Sequence, residues 1–61
     1  MWIIVKLMKN ENQIEVPVII LDSEHEIWEF NSEDEAKRMR DIFQENSDSG
    51  HRYIVKKIGH D

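Results

Sequence analysis

Cysteine is absent from this 61-residue chain. No disulfide can supplement its core and no thiolate can act as nucleophile or metal ligand, a composition that fits a reducing compartment. Glycine occurs twice and proline once, too few to build a phosphate loop, a dinucleotide fingerprint or a nucleophile elbow. Long apolar runs are missing too. Lys6 and Lys9 interrupt the first and Asp22 ends the second, well short of the ~20 residues a membrane-spanning helix needs. Apolar residues begin at Trp2 with no basic region before them and no small-residue cleavage site after, so the start does not read as a signal peptide. The expectation is one cytoplasmic domain over residues 1–61 that does not engage a membrane.

Lysine and arginine are also missing from the stretch between Asn10 and Glu35, which holds nine carboxylates in a chain of net charge −5. Basic residues are confined to Lys6 and Lys9, to Lys37, Arg38 and Arg40, and to Arg52, Lys56 and Lys57. A field of that sign repels nucleic acid at long range and favours cationic partners. A soluble surface needs charge in any case.

What the chain does have is a large apolar set for its length. A domain this small buries only about 60% of the surface its unfolded chain exposes, so stability must come from packing. Residues 2–8 are mostly β-branched or apolar, with Lys6 breaking the run, and read as a central strand. Asn10 to Gln13 is a turn, and residues 14–21 form a second strand pairing antiparallel with the first. Pro17 lacks an N–H and places that strand at a sheet margin. After a turn at Asp22 to His25, residues 26–30 alternate, with Trp28 and Phe30 on one face and Ile27 on the other, and read as a short third strand.

Ser32 and Glu35 have the spacing of a capping box, and Glu33, Asp34 and Glu35 suit the positive end of a helix dipole. A helix is expected over 33–46, with Ala36, Met39 and Phe43 in one stripe, Ile42 beside them, and Lys37, Arg38, Asp41, Gln44 and Glu45 wet. Residues 46–50 form a turn in which Gly50 takes a positive φ, residues 51–58 the last strand, and 59–61 a frayed tail.

The fold class is therefore α+β, in the order β-β-β-α-β: a mostly antiparallel sheet of three to four strands with one helix on one face. One helix cannot cover both faces. Because the first two strands are apolar on both sides, an exposed patch must remain. It is expected to hold Trp2, Ile4, Val18 and Ile20, or the opposite register with Ile3 and Ile19, and Ile27 beside it. Trp28 and Phe30 point at Met39 and Phe43 and belong to the core.

The chemistry-bearing residues form no motif. His25, His51 and His60 have no i, i+4 or H-x-x-H relation, so no metal site is expected. Asp22, Glu24 and Glu26 alternate but lack the glycine and the bidentate glutamate of a calcium loop. No cofactor or catalytic residue is expected, since a single helix over a short sheet leaves little volume for a water-poor pocket. Arg52, Tyr53, Lys56 and Lys57 could stack on and neutralise a nucleic-acid backbone. However, Lys56 and Lys57 point to opposite faces of a strand, and the glycines and paired rings of RNA-recognition strands are missing.

The stretch Ile27-Trp28-Glu29-Phe30-Asn31-Ser32-Glu33-Asp34-Glu35-Ala36, followed by a short helix and Tyr53-Ile54-Val55-Lys56-Lys57, resembles small accessory proteins encoded by tailed bacteriophages and bacteria. It is also similar to the arm-binding module of phage integrases, where a strand leads into a capped F-x-S-x-E-E-A helix. That module is basic, whereas this chain is acidic. The phage resemblance implies an accessory protein acting on a host or viral protein, and it carries no site residues with it. The leading expectation is thus a non-catalytic interaction or regulatory module that binds a protein partner, or a second copy as a homodimer, through an open sheet face or edge strand. The alternatives are a nucleic-acid-binding domain using the basic last strand, or an acidic mimic of nucleic acid that blocks a basic host protein.

Overall fold

The computed structural model describes residues 1–47 and 50–59. Four elements follow in order: β1 (Trp2–Lys9), β2 (Glu15–Ile19), α1 (Glu33–Glu45) and β3 (Arg52–Lys57). The strands form a three-stranded sheet in the order β2-β1-β3, with β1 antiparallel to both neighbours. The α+β class, the central position of the first strand and the marginal position of the Pro17 strand all match the sequence reading.

The expected third strand at 26–30 does not form. Its residues make two separate bridges instead, Leu21 with Ile27 and Trp2 with Phe30. The reason is a change of partner within a few residues. The Trp28 N–H donates to the Ile20 carbonyl at 3.2 Å, whereas Phe30 exchanges both backbone bonds with Trp2, at 2.8 and 2.9 Å. Phe30 thereby takes up, beside Trp2, the line that β2 holds further along β1. Neither partner is held long enough for a ladder. The other bounds shift only at their ends: Lys9 joins the first strand, while residues 14, 20 and 21 drop from the second and 51 and 58 from the last.

Two tight turns use one design. In the first, the Asn10 side-chain oxygen accepts from the N–H groups of Asn12 and Ile14 at 2.9 and 3.1 Å. In the second, the Asp22 carboxylate accepts from Glu24 and Glu26 at 2.8 and 3.1 Å. Each turn then needs a left-handed residue three positions on, and these are Gln13 (φ 64°) and His25 (φ 65°) rather than glycine.

The helix starts as its sequence requires. Ser32 is extended, and its hydroxyl accepts from the Glu35 N–H at 3.2 Å. Three carboxylates fill the first turn, and Lys37 pairs with Glu33 at 3.1 Å one turn on. Asn46 ends it, its side-chain amide and its N–H both donating to the Ile42 carbonyl. Gly50 has φ 74° as expected, while residues 48 and 49 of that turn and 60 and 61 of the tail lie outside the described residues.

The core forms on the even-numbered face of β1. Ile4, Phe30 and Ala36 are its buried centre, with Trp2, Ile20, Trp28, Met39, Phe43, Tyr53 and Val55 packed around them. Trp28 stacks on Phe30 at 5.4 Å between ring centroids and meets Phe43 edge-on at 6.0 Å, and Phe43 lies 5.7 Å from Tyr53. The expected core role of Trp28 and Phe30 is met. Ile42 is not part of the stripe: it is 48% exposed, because a helix that rests on β3 and β1 alone, among the described residues, buries a narrow arc.

Candidate functional site

Register divides the sheet residues between its faces, since residues directly opposite one another across a ladder point the same way. Ile4 lies opposite Val55, and Lys6 opposite Tyr53 and Val18, so this set faces α1. Ile3 opposite Lys56, Val5 opposite Ile54 and Ile19, and Leu7 opposite Arg52 and Pro17 face the other way, where no element of the described residues lies.

This open face is not flat. Ile3 and Val5 are only 5% and 4% exposed, almost as deep as Ile4 at 0%, although no layer covers them. Their burial comes from the sides. Pro17 and Ile19 on β2 and Ile54 and Lys56 on β3 rise beside them, leaving a groove of about 520 Å³ with Ile3 and Val5 at its floor. With strands ~4.8 Å apart, the backbones that carry its walls lie roughly 10 Å from each other. At its far end Arg52 of β3 reaches over the central strand to Glu15 of β2, 3.6 Å away. Beyond that strap lies a more polar depression of about 410 Å³ along Lys9, Gly50 and His51.

Charge is unevenly shared between the faces. Among the strand residues, the register turns Lys9, Arg52 and Lys56 to the open face with one carboxylate, Glu15, already paired to Arg52. Further carboxylates, Asp22, Glu24, Glu26 and Glu29, stand on the arm that follows β2, where Leu21 bridges to Ile27 and Phe30 to Trp2.

The residues singled out from the sequence fall on both sides of this division. Of Trp2, Ile4, Val18 and Ile20, the register places all four on the helix side. Ile4 is wholly buried and Trp2 and Ile20 pack on it, so only Val18 is exposed. The correction is physical: the Phe30 strand-end and α1 cover this register, and the opposite one is left open. Ile27 is exposed, but in the turn arm paired to Leu21. The basic set is split as well. Arg52 and Lys56 face the groove, Tyr53 packs on Phe43, and Lys57 sits 6.0 Å over the Trp2 ring. No single stacking platform results.

The sheet edges are the other way a small domain can recruit a strand, and both are guarded. The Ile20 N–H bonds to the Ile4 carbonyl at 3.0 Å, so by the two-residue alternation of antiparallel ladders Pro17 directs its backbone nitrogen outward, where a joining strand would require an N–H. On β3, the Gln44 side chain holds the edge: its amide donates to the His51 carbonyl at 2.7 Å, and its oxygen accepts from the Tyr53 N–H at 3.0 Å. The Pro17 position was legible in the sequence. The Gln44 clamp and the Glu15–Arg52 strap were not, since each joins residues whose proximity only the tertiary fold creates.

Among the described residues no group of three metal-ligating side chains converges, and no helix is long and apolar enough to cross a membrane. No protein-family model matches the chain, and neither the curated proteins nor the solved structures yield a significant match.

Proposed function

We propose that this is a non-catalytic, cytoplasmic protein-interaction module that binds its partner through the open face of the sheet. The observation that carries the reading is the groove over Ile3 and Val5. An apolar, concave surface with a charged margin is the usual form of a protein docking site, and leaving it wet costs roughly 25 cal/mol for each Å² of apolar area. The face rather than an edge is the docking element, because Pro17 removes a donor from one edge and Gln44 occupies the start of the other.

Neighbouring residues on β2 test this directly. Val18 and Ile19 are 40% and 41% exposed and point to opposite faces. Affinity capture from the native proteome, quantified by mass spectrometry, is expected to recover a partner with the wild type and with Val18→Glu, but not with Ile19→Glu. Equal recovery by both variants, or no specific partner for a chain that light scattering finds monomeric, would overturn the reading.

A further inference from the structure

Resting on that reading, we infer that the occupant of the groove is an amphipathic α-helix whose polar flank is acidic. Three observations converge. The first is shape: the apolar strip between β2 and β3 is roughly 10 Å wide from backbone to backbone, a breadth that one α-helix laid on the sheet covers. The buried floor of Ile3 and Val5 would meet an apolar stripe. Among the described residues the sheet carries α1 on one face only, so a helix on the other completes the three-layer arrangement in which an apolar sheet is covered on both sides.

The second is charge. In a chain of net charge −5, the strands turn three cations, Lys9, Arg52 and Lys56, to the open face against one strand carboxylate, Glu15. A complementary partner is anionic along its margin. A second copy docked face to face would set the same cations against each other, which disfavours self-association there. An anionic membrane is also a poor match, because a recessed floor presents nothing to insert and the acidic remainder of the chain is repelled by such a surface.

The third is spacing. Arg52 and Lys56 stand on the same wall four residues apart, about 13 Å along a strand. Two turns of a helix, about seven residues, cover roughly 11 Å on one flank, and the flexible Arg52 and Lys56 side chains make up the difference. The partner helix therefore carries two carboxylates about two turns apart on the flank that lies along β3, with apolar residues at i, i+3, i+4 and i+7 on the buried stripe.

The test is a selection from a display library of helix-stabilised peptides of about 16 residues, long enough to cover the groove floor from Ile3 to Leu7 with a turn beyond each end. The wild-type chain of residues 1–61 is the bait. The expected consensus combines the helical apolar repeat with acidic residues two turns apart. Selected peptides should lose about tenfold or more in affinity against Lys56→Glu and against Ile19→Glu, and under about twofold against Val18→Glu. Their affinity should fall as salt rises.

A groove-dependent consensus that is basic or extended would overturn the acidic-helix occupant while leaving the interaction reading intact. Failure to enrich any peptide sensitive to Ile19→Glu would also overturn it, and the proteome capture above then decides the broader reading by itself. Lys56-dependent binding to phosphatidylglycerol vesicles in place of peptides assigns the face to a membrane. A dimer in light scattering that Ile19→Glu dissociates assigns it to a second copy. Either result replaces the helix.

Discussion

Ile4 and its neighbours Ile3 and Val5 are almost equally hidden from water, yet for different reasons. Ile4 is enclosed from above, by Phe30 and the Ala36 face of α1. Ile3 and Val5 are enclosed only from the sides, at the bottom of a groove. Burial by a layer fixes a side chain in a packed core, whereas burial by flanking side chains leaves one direction open to a partner. Accessible area by itself does not separate the two, and register does.

That contrast predicts unequal costs of truncation. Ile4→Ala should cost about 3–4 kcal/mol, since the Phe30 and Ala36 side cannot collapse into the cavity without moving the helix. In a domain of this size that is most or all of the stability. Val5→Ala should cost only about 1–2 kcal/mol, near the transfer value of the atoms removed, because the open groove can relax around it. Urea unfolding followed by circular dichroism measures both. Equal costs would mean that the open face is covered in solution by another molecule, which breaks the comparison.

The two edges give the next prediction. Pro17 protects β2 by what it lacks, and Gln44 protects β3 by what it supplies. Gln44→Ala should therefore cost about 1 kcal/mol through two lost hydrogen bonds, and hydrogen exchange should show faster loss at the Tyr53 amide with β1 amides unchanged. Unaltered protection at Tyr53 would show that the strand holds its own edge.

The paired turns differ from both faces in having strain to relieve. Gln13 and His25 sit at φ 64° and 65°, where a Cβ is disfavoured and glycine is not. Gln13→Gly and His25→Gly should each raise stability by about 0.5–1 kcal/mol, offset in part by the greater entropy of glycine in the unfolded chain. A lower midpoint in thermal unfolding would mean that one of these side chains makes a contact worth more than its backbone strain.

How far the sequence reveals this molecule follows from the same residues. Trp2 to Lys9 as a central strand, the Ser32 cap and the Ala36, Met39 and Phe43 stripe all depend on local periodicity and capping chemistry, and they are legible for that reason. The 26–30 segment reads as a strand because it alternates, but alternation reports which side chains are buried, not whether one partner holds the backbone throughout. Which register α1 covers is equally invisible. Ile3, Val5 and Ile19 are as apolar as Ile4 and Ile20, and only the path of Phe30 beside Trp2 decides between them. A strand apolar on both faces announces that some face is left over without naming it.

The smallest effect on stability belongs to the Glu15–Arg52 strap, and it sharpens the difference between the faces most directly. Both side chains are well exposed and 3.6 Å apart, so a double-mutant cycle should find a coupling below about 0.5 kcal/mol. If the strap contributes to binding, it does so by occupying Arg52. Glu15→Gln removes the carboxylate that holds Arg52 and leaves the size of the side chain unchanged. The unfolding curve should therefore stay where it is, while an acidic helix selected on the wild type binds a few times more tightly at low salt and loses that gain at high salt. On the covered face the corresponding cation, Lys6, lies 5.9 Å over the Tyr53 ring, and Lys6→Gln should leave the same affinity unmoved.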